Sequence, residues 1–319
     1  MLEHILLPLD GSKMAECILP HAVTLAKTFE SKVTLLRVVY SDTSENQHLN
    51  VNPIAWQMRK SEATSYLEKI QKQLEDVDVE SEIQILEGKP AQQIIEYSRS
   101  IDAQMVILSS HGSSGISEWN INSTAQKVLL RAFIPVMIIR AYKETALDLD
   151  NLKYERILIP LDGSKRAECI LSIASSIGKA HSSEIILAHV VEEPKLPRQS
   201  PMNKEELELI DKITTINRKE MSNYIEQLNS QLLNNQAITH IESSGKPAVA
   251  LHNIIDQENV DLVILSAHGL SGDNKWPYGQ TALSFIVYGT TPIIIFQDLK
   301  KGEIETSLAE KSTEQMKGH

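Results

Sequence analysis

The sequence predicts an α/β protein of two tandem doubly wound domains, each a five-stranded parallel sheet with helices on both faces. Three observations support this fold class. The chain has 319 residues and 42% apolar content, which is enough for two hydrophobic cores. Residues 102–140 return in altered form as residues 261–296. Within each copy, short apolar β-branched runs alternate with longer segments of helical periodicity.

The repeat also predicts the domain boundaries. We expect one domain at residues 1–142 and a second at residues 154–299. The segment 143–153 between them is polar and acidic and is expected to be a linker. Residues 300–319 lack hydrophobic periodicity and are expected to form a mobile tail.

The first predicted strand of each copy is a continuous apolar run that ends in Asp-Gly-Ser. These runs are residues 4–10 and 155–162, and their aspartates, Asp10 and Asp162, lie 152 positions apart. Runs without polar alternation are typical of strands buried in a parallel sheet. The other predicted strands are residues 32–40, 79–86, 105–108 and 136–140 in the first copy and residues 184–192, 237–241, 263–265 and 293–296 in the second.

Several helix starts are marked by local signals. Ser12 and Ser164 follow the aspartates, and we expect their hydroxyls to cap the first helix of each copy. Pro90 and Pro247 follow Gly-Lys turns and are expected at the first position of the third helices.

The second helices are expected at residues 54–74 and 204–233, after polar segments at residues 41–53 and 193–203 that are too long for tight turns. The offset between the copies grows from 152 at the first strand to 157 at the Gly-Lys-Pro turn. We expect the five extra residues of the second copy in the polar segment after its second strand.

The strand alternation predicts where a ligand would bind. In a doubly wound sheet, the crevice lies where loops from two adjacent strands diverge to opposite faces. We expect the first and fourth strands to form it, so that Asp10 faces the loop 109–123. That loop leads into a helix N-terminus, whose N–H groups favour an anion.

The composition argues against several function classes. A net charge of -11 and a pI near 5.4 disfavour a nucleic-acid surface. No window approaches the roughly 20 apolar residues of a membrane span, and the first ten residues do not resemble a leader. We therefore expect a cytoplasmic protein that binds neither nucleic acid nor membrane. Cys17 and Cys169 occupy matching positions and are interpreted as small core residues, with redox sensing as the alternative.

Three motifs carry a resemblance to a known family. The runs ILLPLDGS, VILSSHGSSG and PVMII occur in the order found in universal stress proteins, and the second copy repeats them. The chain is therefore similar to the tandem two-domain members of that family, over nearly all of its length apart from the linker and tail. The resemblance implies a Rossmann-like, adenine nucleotide alpha hydrolase-like fold. In nucleotide-binding members, phosphates rest on a Gly-x2-Gly-x9-Gly-Ser/Thr loop after the fourth strand, and an Asp ending the first strand contacts the adenosine.

The positions to which the resemblance assigns nucleotide binding are Asp10, Ser109, Gly112, Asn122 and Ser123 in the first copy and Asp162, Ser266, Gly269 and Gly279 in the second. In the second copy, Gln280 replaces the Ser/Thr of the motif. Asn122 replaces a glycine, and we expect it to preserve the backbone because Asn tolerates the left-handed conformation. Ser109 adds a side chain where a phosphate or ribose would approach closely.

Differences between the loops predict unequal sites. Ser123 keeps a hydroxyl near the phosphate position, whereas Gln280 and Asp273 crowd and charge the second loop. The first copy is therefore expected to be the better site. Neither loop has the Lys or Arg density that helps to hold a triphosphate. We expect weak binding of ATP or a related adenine nucleotide in at least one copy, with Mg²⁺ only as a companion of the nucleotide.

Catalysis is not expected. His111 and His268 occupy matching loop positions, but the chain has no G-x-S-x-G elbow, no Walker-type loop and no second ligand at metal spacing. Two alternatives stay open: a nucleotide-independent interaction scaffold with degenerate loops, whose glycines serve turn geometry alone, and a slow nucleotide hydrolase whose water-activating group is not identified. Trp119 and Trp276 are interpreted as packing residues.

The last strands predict how the domains assemble. Residues 136–140 and 293–296 end their sheets as apolar runs, and an unpaired edge of this kind invites another strand. A short linker gives the two edges a high effective concentration, so we expect antiparallel pairing within one chain, as a pseudo-twofold dimer. Further homodimerisation through other surfaces stays open.

Overall fold

A computed structural model describes residues 2–39, 53–111, 121–141, 148–192, 201–232, 237–242, 246–269 and 277–297. The chain separates into two compact units, Met1–Lys153 and Tyr154–His319. The expected tail at residues 300–319 and the tryptophans Trp119 and Trp276 lie outside the described residues.

The first unit alternates strands and helices along its whole length. Its elements are β1 His4–Pro8, a 3₁₀ turn Ala15–Ile18, α1 Leu19–Phe29, β2 Lys32–Val39, α2 Pro53–Glu75, β3 Ser81–Glu87, α3 Pro90–Ser100, β4 Met105–Ser109, α4 Ser123–Ala132 and β5 Val136–Ile139. The strands lie in the order β3-β2-β1-β4-β5, and every pair is parallel. Ile5 of β1 pairs with Val33 of β2 on one side and with Met105 of β4 on the other.

The second unit repeats this plan. Its elements are β6 Arg156–Pro160, α5 Lys165–Glu168, α6 Leu171–His181, β7 Glu184–Val190, α7 Lys204–Leu232, β8 Ala237–Glu242, α8 Pro247–Glu258, β9 Leu262–Ser266, α9 Gln280–Tyr288 and β10 Ile293–Phe296. The strand order is β8-β7-β6-β9-β10, again parallel throughout. The predicted fold class is therefore confirmed, and the order reverses direction between the first and fourth strands of each unit.

The central strands show why uninterrupted apolar runs form parallel sheets. All five residues of β4 are buried, as are all five of β9. Helices cover both faces of each sheet, so neither face meets solvent. The strands are therefore apolar throughout and show no alternation of polar and apolar residues. Within the described residues, no helix is long and apolar enough to cross a membrane.

The extra residues of the second copy lie in a helix, which corrects the expectation from the sequence. The segments from β2 to α2 and from β7 to α7 are equally long, because residues 40–52 and 191–203 separate these elements. Helix α7 instead has 29 residues against 23 in α2. A helix can lengthen along its axis without disturbing the strands at its end, which makes this insertion compatible with the fold.

The cysteine interpretation is wrong for Cys169. This residue is exposed, because it caps the short helix α5 and lies at the break before α6. Cys17 is half-buried, and burial raises the pKa of its thiol to about 12. A thiol with such a raised pKa is a poor nucleophile near neutral pH.

Candidate functional site

The carboxyl end of β1 carries a closed Asp-Gly-Ser turn. Asp10 Oδ1 accepts hydrogen bonds from the Ser12 amide at 2.9 Å and from the Ser12 hydroxyl at 2.6 Å. Gly11 has φ +81°, a left-handed conformation that suits glycine. The Ser12 Oγ accepts from the Ala15 amide at 3.2 Å, but the 3₁₀ turn that follows has Met14 as its N-cap, so the capping expected at Ser12 is wrong.

The second unit builds the same turn after β6. Asp162 Oδ1 accepts from the Ser164 amide at 3.0 Å and from its hydroxyl at 2.6 Å. Gly163 has φ +85°, and the Ser164 Oγ accepts from the Ala167 amide at 3.2 Å, so Ser164 caps α5 as predicted. Both aspartates therefore hold a turn at the sheet edge, in addition to any contact with a ligand.

In the second unit, the loops after the first and fourth strands meet. A Cβ added to Gly269 would lie 2.9 Å from Asp162 Cγ and nearer still to Oδ2, so only glycine fits here without a shift. This contact places Asp162 against the loop after β9, as the strand order predicts. In the first unit, the matching Gly112 lies outside the described residues.

The helix that follows each of these loops starts in the same way in both units. Asn122 has φ −72° and ψ 161°, and Gly279 has φ −71° and ψ 168°. The Asn122 amide donates to Ser110 O, and the Gly279 amide donates to Ala267 O, each at 2.7 Å. The left-handed conformation expected at Asn122 is therefore wrong, since this position needs an extended backbone that any residue adopts.

Asn122 adds a helix cap that its counterpart lacks. Its Oδ1 accepts from the Ala125 amide at 2.8 Å, whereas Gly279 has no side chain to do so. Capping occupies one of the amides at the start of α4 that an anion would otherwise use. Ser123 and Gln280, the first residues of α4 and α9, are both exposed and remain accessible to a ligand.

The two motif serines point into the protein. Ser109 and Ser266 are buried at the ends of β4 and β9. The Ser266 hydroxyl donates to His268 O at 2.6 Å. The Ser266 side chain is thus used within the loop.

The matching loop histidines lie inside the protein, where they support the loops. His111 and His268 are both buried. The Ser110 Oγ lies 2.8 Å from His111 Nδ1 and accepts from the Ala141 amide at 3.0 Å, so the serine links the loop to the residue after the last strand. Burial, with a smaller contribution from Arg140, lowers the pKa of His111. A buried neutral imidazole of this kind stabilises the loop.

A cation beside Asp10 could not be predicted from the sequence. Arg37, on β2, lies over Gly11, since a Cβ added there would be 2.9 Å from the guanidinium carbon. Its Nη1 donates to Leu9 O at 3.4 Å, and its guanidinium lies 5.9 Å from the ring centre of Tyr66. Burial and then the charge of Glu16 raise the pKa of the Tyr66 hydroxyl, which α2 brings to this place. The only sequence signal was an arginine inside an otherwise apolar strand.

The second unit has a different lining at the matching positions. His189 replaces the arginine, and its Nδ1 donates to Leu161 O at 2.7 Å. Tyr224 of α7 donates to Glu168 at 3.0 Å, and Met221 lies 3.5 Å from where a Cβ on Gly163 would be. Burial, followed by the interaction with Glu168, raises the pKa of Tyr224. One crevice is therefore lined by a permanent cation and the other by a thioether and an imidazole.

No group of three or more His, Cys, Asp or Glu side chains in the described part of the chain could hold a metal ion.

The fold and these repeated turns define the class of protein. Each unit is a doubly wound parallel sheet whose strand order reverses between its first and fourth strands, and a polar Asp-Gly-Ser turn lies at the carboxyl end of the first strand in both. The model of the universal stress protein family matches residues 1–140 and again residues 153–297. The chain belongs to the universal stress protein family and carries two of its domains in tandem.

Individual relatives agree with this assignment. Universal stress protein MJ0531 of Methanocaldococcus jannaschii is 28% identical over 144 residues, covering 44% of this chain and 83% of the relative. Universal stress protein YxiE of Bacillus subtilis is 26% identical over 149 residues, covering 44% of this chain and 100% of the relative. A universal stress protein structure from Archaeoglobus fulgidus matches with a TM-score of 0.65 at 19% identity, over 94% of this chain and 100% of that one. That structural match shows the tandem fold.

Proposed function

We propose that this chain is a cytoplasmic stress-response protein that binds ATP or a related adenine nucleotide weakly, in the crevice between the first and fourth strands of at least one unit. It acts by binding rather than by catalysis. The observation that carries the proposal is the contact of Asp162 with Gly269, which supports one site built from both loops.

The geometry supports different roles for the two sides of the crevice. The acidic turn of Asp10 lies at the end of β1, and Arg37 lies over that turn from the β2 side. The amides at the start of α4 lie on the β4 side and suit phosphate oxygens. Aspartate and arginine would therefore contact the nucleoside, and the helix N-terminus would contact the phosphates.

The affinity for nucleotide is expected to be weak because the crevice has few cations and free amides to bind the phosphates. Asn122 caps one α4 amide, and no Lys or Arg occurs among the described residues of either motif loop, at residues 109–111, 121–123, 266–269 and 277–280. Charge-assisted hydrogen bonds to phosphate are the strong ones, so their scarcity lowers affinity. Arg37 gives the first unit a permanent cation, where the second unit has the imidazole of His189. This supports the first unit as the better site.

Retention of nucleotide through purification is the first test. The full chain is purified without added nucleotide and denatured, and the supernatant is analysed by absorbance near 260 nm and by mass spectrometry. Calorimetry with ATP and adenosine, with and without Mg²⁺, then gives the affinity. We expect an adenine nucleotide and a measurable dissociation constant.

Single variants of the full chain assign the site. Asp10→Ala and Asp162→Ala should each weaken binding in their own unit by about 1–3 kcal/mol, the scale of a lost charge-assisted hydrogen bond. Asp76→Ala is the matched control, since Asp76 is exposed and follows α2 at the amino-terminal side of β3. Absence of retained nucleotide and of binding heat at millimolar ATP, in folded protein, would favour the nucleotide-independent scaffold.

A further inference from the structure

Helix α7 starts with a strong local signal. The Asn203 side chain accepts from the Glu206 amide at 2.9 Å, and the Glu206 carboxylate accepts from the Asn203 amide at 2.7 Å. This reciprocal pair is a capping box, which stabilises the first helical turn without help from tertiary contacts. The helix is thus built to start at this point, ahead of Ile225, its first buried residue.

The start of α7 is an extension that α2 lacks. Tyr66 lies 13 positions after the first residue of α2, whereas Tyr224, at the same place in the second crevice, lies 20 positions after the first residue of α7. The seven additional residues lengthen the helix by about 10 Å, or two turns. We define the arm as residues 204–220.

The arm exposes an apolar stripe. No residue from 204 to 220 is buried, and the helix first reaches its core at Ile225. Leu209 is 58% exposed, Ile213 37% and Ile216 52%. Their spacing of four and three residues places them on one helix face. A continuous exposed stripe of this kind marks an interaction surface, whereas scattered apolar residues do not.

The charges of the arm are divided between its halves. Residues 204–211 carry one Lys and four acidic residues, a net charge of -3, and residues 212–220 carry three basic residues and one Glu, a net charge of +2. A parallel copy would set like charges against each other. An antiparallel copy would set Glu205 near Lys219 and Leu209 opposite Ile216, with Ile213 at the centre. The arm is therefore complementary to itself in one orientation.

We propose that the arm of α7 pairs antiparallel with the arm of a second copy of this chain, about a twofold axis near Ile213. The contact length is about 25 Å, from 17 residues at 1.5 Å each. This is small for a stable interface, so the homodimer is weak and depends on concentration. It joins two chains through the part of α7 that precedes Met221 and Tyr224.

Sedimentation velocity of the full chain from 1 to 200 µM tests the proposal. The wild-type chain should shift from monomer to dimer across this range. The variant Leu209→Glu with Ile216→Glu removes the stripe at exposed positions and should weaken the dimer by at least about tenfold. The variant Ile54→Glu with Met58→Glu is the control, since these residues are exposed near the start of α2.

A charge exchange makes the orientation testable. The variant Arg218→Glu with Lys219→Glu and the variant Glu205→Lys with Glu208→Lys should each dimerise poorly alone, and their mixture should form a heterodimer. A wild-type chain that stays monomeric at 200 µM would overturn the proposal. So would a dimer that the stripe variant leaves unchanged, or a mixture that associates no better than its components.

Discussion

The contact between Asp162 and Gly269 makes a sharp prediction for the variant Gly269→Ala. The new Cβ would lie 2.9 Å from Asp162 Cγ, whereas ordinary contact begins at 3.4 Å, so the carboxylate must retreat by more than 0.5 Å. Asp162 is not free to do so, because its Oδ1 holds both the amide and the hydroxyl of Ser164. The substitution therefore strains the turn that starts α5.

The expected cost follows from these contacts. Overpacking by one methyl group costs about 1–3 kcal/mol. Weakening the hydrogen bonds to Ser164 adds about 1 kcal/mol for each bond that is lost. We expect the free energy of unfolding of the second unit to fall by about 2 kcal/mol, and its melting temperature to fall by about 4–8 °C.

Gly279→Ala is the matched control. Its φ is −71°, and the nearest atom to an added Cβ is Ala267 O at 3.5 Å, an ordinary contact. We expect this change to be neutral or to stabilise the chain by up to about 1 kcal/mol, because alanine restricts the unfolded chain.

Urea denaturation measures both variants, and hydrogen exchange of peptides from β9 and α5 locates the effect. In the background Asp162→Ala, the carboxylate is absent and Gly269→Ala should cost less than about 0.5 kcal/mol. The reasoning fails if Gly269→Ala is as stable as Gly279→Ala, or if its cost is the same in both backgrounds.

Three further predictions concern the nucleoside, pH and assembly. Arg37→Gln should weaken binding of adenosine and of ATP by the same factor, about fivefold, because a guanidinium near the nucleoside acts on the base and not on the phosphates. Calorimetry that shows loss of affinity for ATP alone would contradict this placement of Arg37. His189→Gln at pH 8 is the control. Burial lowers the pKa of His21 from 6.5 to about 4, so folding favours the neutral ring. The stability that this ring contributes to the folded chain is fully present above pH 6.5 and is lost as the pH falls toward 4. Between pH 7 and pH 5, the wild-type chain should therefore lose about 1–2 kcal/mol more than His21→Gln in urea denaturation, and equal losses would refute the assignment. The expected antiparallel pairing of residues 136–140 with residues 293–296 stays a prediction: small-angle scattering should show one compact particle, and independent lobes would exclude it.

Much of the fold could be predicted because its signals are local. The uninterrupted apolar runs before Asp10 and Asp162 predict buried parallel strands, since neither sheet has a solvent-facing side. Ser164 predicts a helix cap because its hydroxyl reaches an amide only three residues away. The repeat itself then predicts two units with the same strand order and therefore two crevices.

The tertiary structure decided the rest, because it depends on which side chains the sheets bring together. Asp162 and Gly269 are 107 positions apart, and only the pairing of β6 with β9 sets their carboxyl ends side by side. In the sequence, Arg37 is an isolated charge among apolar residues, and only the pairing of β2 with β1 shows that it lies over Gly11. Cys169 fits an apolar helical pattern, yet the break after α5 turns it outward. Periodicity and turn chemistry act over a few residues, whereas contacts across the sheet depend on packing that no short window of sequence contains.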